Sequence, residues 1–177
     1  MTKLSKLLVL LLLLLTIYSR AQDKVPIELN EMKTDSLFLK GIYIENLNLL
    51  IPWGTSFSKI EDYGSPKINN EKGEITVVWD SVKILNGVNA TLYYFPKKAL
   101  TTKKYSNVGF ISGVVDSINA QAFKQNLEAK FGAPNKTRVI KSKQMTEYIW
   151  YINKCYVSIR HWQDYPAIYK LHFQRIK

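Results

Sequence analysis

A sequence unit that occurs twice most constrains the fold of this chain: residues 41–66 and residues 109–134. Each copy opens with glycine and an apolar run and closes on an aromatic-Gly-x-Pro turn. Glycine can adopt the left-handed conformation that ends a helix, and proline prevents its continuation. Three pairs of positions share a spacing of 68 residues: Gly41 and Gly109, Gly64 and Gly132, Pro66 and Pro134. We interpret this as a duplication, which predicts one domain over residues 41–177 built from repeats 41–108 and 109–177.

The first copy has the pattern of a strand followed by a short helix. Apolar residues alternate with other residues over positions 42–51, which favours a strand. Thr55 or Ser56 can then cap a helix of two to three turns, which the Gly64 turn ends.

A hairpin is predicted next, at Asn86-Gly87. This dipeptide suits a two-residue type I′ turn, because both central residues of that turn need positive φ. Such a turn would place Val82 opposite Thr91.

The second copy predicts a strand over residues 110–116 and a longer helix capped by Asn119. Ile118 precedes the cap and can pack on Phe123 as a hydrophobic staple. The helix carries an apolar stripe at every fourth residue, which indicates one narrow face on a sheet: Phe123, Leu127 and Phe131.

Three further strands fit the end of the chain, over residues 146–152, 155–162 and 168–176. The predicted fold class is therefore α+β. Two β-α-β-β repeats form an antiparallel sheet with two helices packed on one face.

The N-terminus has the pattern of a secretory signal peptide over residues 1–21. Two lysines precede a short apolar run, and small residues follow it up to Ala21. A membrane anchor is the alternative, but it needs about 20 apolar residues and the run ends earlier. We predict an exported protein, periplasmic or secreted, with a loosely ordered lead-in over residues 22–40.

Charge favours an acidic partner. Residues 1–21 hold Lys3, Lys6 and Arg20 and no acidic residue, so the remaining 156 residues keep +8 of the chain's net charge of +11. Anionic lipid head groups at a membrane surface, acidic glycans and acidic protein faces all fit this balance. The export signal disfavours nucleic acid, and no sequence motif indicates a cofactor.

Candidate binding residues come from a basic loop and from aromatic strands. Four lysines lie within residues 97–104, and adjacent aromatic residues such as Tyr93-Tyr94 and Trp150-Tyr151 cannot both face a core. One member of each pair must lie on the outer, open face of the sheet, where aromatic and cationic side chains often dominate recognition. The candidate set is Lys97, Lys98, Lys103, Lys104, Tyr94, Tyr151, Arg160 and Trp162.

A Cys/His cluster supplies the alternative, a small hydrolase or a metal-binding enzyme. Cys155 and His161 share a strand face by the period of two, and a conventional turn would bring His172 beside Ile159 and hence near His161. A thiol and two imidazoles can hold zinc. The simpler explanation is that this is the core face, with Cys155 buried and inert, since the spacing matches no known ligand motif.

The helix of the first copy also carries a family resemblance. Gly54-Thr55-Ser56, Lys59-Ile60 and Tyr63-Gly64-x-Pro66, followed by strands, resemble the small envelope modules of the beta-lactamase-inhibitor-like and SmpA/OmlA type. The chain departs from those lipoproteins in lacking their lipid-anchoring cysteine. The resemblance implies a non-catalytic exported module that binds or inhibits another protein through its sheet, and no individual binding residue carries over.

Overall fold

A computed structural model describes residues 38–98 and 104–176. The predicted signal peptide and the lead-in up to residue 37 lie outside these residues. Within the described ranges, no helix combines the length and apolar character needed to cross a membrane.

The described residues form ten strands, one α-helix and three short 3-10 turns. The 3-10 turns are Glu45–Leu47, Phe57–Asp62 and Lys141–Lys143, and the helix, α1, is Ser117–Phe131. The strands are β1 (Gly41–Ile44), β2 (Leu49–Pro52), β3 (Lys67–Glu71), β4 (Glu74–Ile84), β5 (Val88–Tyr94), β6 (Phe110–Asp116), β7 (Lys136–Ile140), β8 (Met145–Ile152), β9 (Cys155–Trp162) and β10 (Ile168–Arg175).

Strands from residues 41–108 and from residues 109–177 join in one antiparallel sheet of eight strands, in the order β3-β4-β5-β6-β10-β9-β8-β7. The strands that follow each Gly-x-Pro turn, β3 and β7, form the two edges. The two sequence segments meet at β5 and β6, where Leu92 pairs with Gly113. A Cβ at Gly113 would lie 3.1 Å from a methyl carbon of Leu92 and 3.3 Å from the Cβ of Leu171, so glycine makes room for these side chains.

The predicted arrangement of two helices on one sheet is wrong. The structure is mostly β, with one α-helix in the described residues. The helical segment of the first copy is the six-residue 3-10 turn Phe57–Asp62, and it buries Ile60 alone. A segment this short does not stabilise an α-helix by itself, and a single buried residue supplies little packing to compensate.

The first strand of the first copy also differs from the prediction. Residues 42–51 fold back on themselves as the β1–β2 hairpin, because Asn48 adopts a left-handed conformation with φ of 47°. This hairpin forms a separate two-stranded sheet, in which Ile42 pairs with Ile51. It packs on the large sheet in the place that the prediction gave to a first-copy helix.

The hairpin at Asn86-Gly87 is confirmed, but its register is shifted by one residue. Ile84 pairs with Val88, so Leu85 joins the loop, and Val82 faces Ala90 rather than Thr91. All three loop residues have positive φ. The carboxylate of Glu45 accepts hydrogen bonds from the backbone N–H groups of Asn86 and Gly87, each at 2.6 Å, and so holds the turn against the β1–β2 hairpin.

The long helix of the second copy is confirmed, with its start three residues earlier than predicted. Asp116 is the N-cap, and its carboxylate accepts from the backbone N–H of Asn119 at 2.8 Å. Ile118 is 78 % exposed, so the predicted staple with Phe123 does not form. Phe123 packs edge-on against Phe173 instead, with ring centroids 5.8 Å apart.

One face of the large sheet carries the hydrophobic core. α1 contributes Ala120, Phe123 and Leu127 to it, and the β1–β2 hairpin contributes Ile42, Ile44 and Ile51. The sheet supplies alternate residues of its central strands, among them Val77, Trp79, Leu92, Ile111, Phe173, Val157 and Trp150. Because α1 and the β1–β2 hairpin both pack on this face, the opposite face of the sheet is formed by side chains of the strands themselves.

Candidate binding face

We call this opposite side of the eight-stranded sheet the open face. The strand pairing places its side chains in rows that run across the strands. One row comprises Arg138 on β7, Glu147 on β8, Arg160 on β9 and Lys170 on β10, because each is the direct pairing partner of the next. We call this set the cationic row.

Glu147 is the buried centre of the cationic row, with 1 % of its surface exposed. One carboxylate oxygen accepts from Arg160 Nε at 2.7 Å, from Ser158 Oγ at 3.0 Å and from the Tyr156 hydroxyl. The other lies 3.9 Å from Arg138 Nη1. Four side chains from two neighbouring strands therefore converge on a single buried carboxylate.

The pKa of Glu147 is held below its ordinary value. Burial by itself would raise the pKa, but hydrogen bonds from Tyr156, Arg160 and Ser158 and the charge of Arg160 outweigh burial. Burial also raises the pKa of Tyr156, and the hydrogen bond to Glu147 raises it further. Glu147 is thus the ionised acceptor and Tyr156 the neutral donor.

Arg160 and Lys170 retain binding capacity toward solvent. Arg160 contacts Glu147 through Nε. Its two terminal nitrogens, which can pair bidentately with a carboxylate, have no carboxylate partner in the described part of the chain. Lys170 is exposed, and its Nζ lies 5.5 Å from the centre of the Trp162 ring. The row carries three cations against one carboxylate.

Of the predicted aromatic residues, the structure places Tyr151 and Trp162 on the open face with Arg160. Tyr151 is 51 % exposed and meets Tyr156 edge-on, with centroids 6.0 Å apart. Tyr94 lies on the core face instead, where its hydroxyl donates to the Ser106 carbonyl. Its neighbour Tyr93 takes the open face and stacks beside Phe95.

The predicted basic loop follows β5 at one end of the sheet. Lys97 and Lys98 are exposed, and Lys98 Nζ lies 5.9 Å from the ring centre of Tyr105. Lys104 is exposed as well, whereas Lys103 lies outside the described residues. The loop continues from Tyr93 of β5 and from Phe95, which directly follows that strand.

Cys155, His161 and His172 do not converge. Ile159 pairs with Leu171 and His172 with Ser158, so the predicted register of β9 and β10 is wrong by one residue. A one-residue shift moves a side chain to the other sheet face. Cys155 and His161 lie on the core face, and His172 lies on the open face against Phe110, with centroids 5.4 Å apart.

The three residues also have different surroundings. His161 stacks on Tyr169 at 4.5 Å between ring centroids, and the Nε2 atoms of both histidines are buried without a hydrogen-bond partner in residues 38–98 and 104–176. Burial, together with the charge of Arg160, lowers the pKa of His172 to about 4, so this imidazole is neutral at pH 7. No group of three potential metal ligands occurs among the described residues.

Burial raises the pKa of the Cys155 thiol to about 12, which predicts an unreactive cysteine in the folded protein. We expect a thiol reagent such as dithionitrobenzoate to label Cys155 at least about a hundredfold more slowly in buffer than in denaturant, since only the thiolate of an accessible cysteine reacts. Labelling at equal rates would contradict the buried placement.

Sequence reasoning missed Glu147, Arg138, Lys170 and Tyr156. Their alternation along each strand was visible, since Glu147 and Tyr151 share one face of β8 by the period of two. Their convergence was not visible, because it depends on the register of four strands.

Comparisons of the chain with protein-family models, curated proteins and solved structures found no match.

Proposed function

We propose that this protein is an exported, non-catalytic binding or inhibitory module that captures an acidic envelope or extracellular partner on its open face. The observation that carries the proposal is the cationic row, where Arg138 and Arg160 flank one buried carboxylate and Lys170 lies beside Arg160 on the next strand. Glu147 fixes Arg160 in place, so the guanidinium loses little conformational entropy when it binds a second carboxylate.

The neighbouring aromatic residues support a protein-binding role for this face. Tyr151 and Trp162 flank the row on adjacent strands, and such residues, together with arginine, dominate the energetics of protein interfaces. Lys170, positioned over the Trp162 ring, places a further mobile charge beside Arg160.

The loop lysines supply a second cationic contact in this proposal. Lys97, Lys98 and Lys104 are exposed where β5 leaves the sheet, next to the open-face aromatics Tyr93 and Phe95. An elongated acidic surface reaching from the row to this end of the sheet would meet positive charge at both places.

The enzyme alternative lacks a comparable observation. A Cys/His nucleophile pair or a zinc site needs its residues within direct reach of one another. Cys155 and His161 lie on one face of the sheet and His172 lies on the other. We therefore propose the binding function only.

Charge reversal on the open face tests the proposal. We expect Lys170→Glu to weaken binding of fluorescent poly-glutamate, measured by anisotropy, by about three- to tenfold at low salt, because an attraction becomes a repulsion at an exposed site. Replacing the four loop lysines by Glu should weaken binding by a similar factor and flatten its salt dependence.

A matched control uses lysines on the covered side of the protein. Lys59→Glu with Lys130→Glu changes the net charge by twice as much as Lys170→Glu, but both positions lie on elements that pack on the core face. Equal loss of binding in the control would show that net charge alone attracts the probe. That result would overturn the open face as the binding site.

A further inference from the structure

The edge strand β7 differs from the other edge of the sheet in charge. Residues 131–146 contain no acidic residue and four basic ones: Lys136, Arg138, Lys141 and Lys143. The opposite edge, β3 with its turn into β4, mixes Lys67 and Lys72 with Glu71 and Glu74. Lysines on an edge strand often serve only to prevent aggregation, but such protection does not require one edge to be purely cationic.

Strand β7 pairs with β8 on one side and with no described strand on the other. Every second residue of an edge strand directs its backbone N–H and C=O outward. On the open face β7 presents Lys136 and Arg138, and on the other face it presents Thr137 and Val139, with Val139 65 % exposed. This edge therefore offers hydrogen bonds, positive charge on one side and an apolar contact on the other.

We propose that β7 accepts an extended acidic segment of the protein partner as a ninth strand of the sheet. The inference rests on the proposed function for the charge of the partner, and it adds the mode of binding. Strand addition supplies affinity through main-chain hydrogen bonds and specificity through alternate side chains. A segment in which acidic and apolar residues alternate would place its carboxylates beside Lys136 and Arg138 and its apolar side chains beside Val139.

A second copy of this chain fits the same edge poorly. Antiparallel pairing of β7 with its own copy would bring the lysine and arginine side chains of both copies onto neighbouring positions. Like charges opposite one another across strands are destabilising. Charge complementarity thus selects an acidic segment over self-association.

The test uses a short capped peptide in which Glu alternates with Val, added to the protein without its predicted signal peptide. We expect binding to slow hydrogen exchange at alternate amides of residues 136–140, because strand addition engages every second N–H. The same peptide methylated on alternate backbone nitrogens keeps its charge but loses donors, and we expect it to bind at least about tenfold more weakly.

Matched variants separate this edge from general attraction. Lys141→Glu with Lys143→Glu should weaken peptide binding by about fivefold or more, and Lys67→Glu with Lys72→Glu at the opposite edge should weaken it less than twofold. Equal effects at the two edges would overturn the proposal. The proposal would also be overturned if sedimentation showed dimers without peptide and hydrogen exchange showed protected β7 amides in them. A second copy of the chain would then occupy the edge.

The outcomes also distinguish failure of this inference from failure of the proposed function. If both peptides bind equally and Lys170→Glu weakens both, the open face binds acidic ligands without strand addition. If β7 amides become protected and Lys170→Glu changes nothing, strand addition occurs and the open face is not the binding site.

Discussion

Replacing Glu147 by Ala is expected to lower the free energy of unfolding by about 2–4 kcal/mol. The change leaves Arg160, Ser158 and Tyr156 without their shared acceptor in a site from which water is largely excluded. Removal of one member of a buried ion pair typically costs about 3–5 kcal/mol, and we expect less because Arg138 and Arg160 keep partial access to water. Urea unfolding at pH 7 measures the loss.

The same carboxylate should make stability depend on pH. Because the folded protein holds the pKa of Glu147 below its ordinary value, the ionised group stabilises the fold above the pKa of the unfolded chain. This contribution is lost as the pH falls through the lowered pKa. The amide in Glu147→Gln takes up no proton in this range, so the stability of that variant should decline less steeply than that of the unmodified protein below about pH 4.5.

Glu74 provides the control for the Glu147 variants. It lies exposed at the start of β4, so Glu74→Ala should change the free energy of unfolding by less than about 0.5 kcal/mol. A similar small effect for Glu147→Ala would mean that the contacts of Glu147 with Arg138, Tyr156, Ser158 and Arg160 contribute nothing to the free energy of unfolding.

Substitution of Gly41 by Ala is expected to destabilise the protein by about 2–4 kcal/mol. A Cβ at this position would lie 2.0 Å from the carbonyl oxygen of Ile51 and 2.8 Å from the Cα of Pro52. Both atoms belong to the backbone of β2, so the hairpin must open to accept the methyl group, and overpacking of this kind costs stability. Opening would expose Ile42, which is buried in the core.

Gly109, which lies 68 residues after Gly41, is the matched control. An added Cβ there meets nothing closer than the carbonyl oxygen of Asn107 at 4.0 Å. We expect Gly109→Ala to change stability by less than about 0.5 kcal/mol in the same urea titration. Equal losses at the two glycines would contradict the different environments that the two copies have in this fold.

These two glycines illustrate how far the repeat predicts structure. The repeated spacing correctly predicts that a helical segment ends at each Gly-x-Pro turn. The edge strands that follow these turns, β3 and β7, were not predicted, because the polar residues 67–74 indicate a loop and residues 136–140 show no clear strand pattern. The spacing also does not predict that the first copy lacks an α-helix. Phe123 and Leu127 are buried against the sheet, whereas the segment Phe57–Asp62 has one fully buried side chain. A helix in a protein is stabilised mainly by the packing of such an apolar face, which the first segment lacks.

The candidate site was predictable only in part. Arg160, Trp162 and Tyr151 were predicted for the open face from strand periodicity, and they lie there. Tyr94 was placed on the wrong side of its aromatic pair, because both members have equal β propensity and only packing selects one. The histidines were paired incorrectly because a shift of one residue in β10 exchanges its two faces.

Local signals in the sequence correctly predict the hairpin at Asn86-Gly87, the helix that ends at Gly132 and the alternating strands β8, β9 and β10. Each depends on backbone preferences and side-chain periods within a few residues. Only the tertiary structure showed which faces of β5 and β10 are buried and that Arg138, Glu147, Arg160 and Lys170 form one row. Such choices depend on register between distant segments, which is set by competition for a shared core rather than by any local preference.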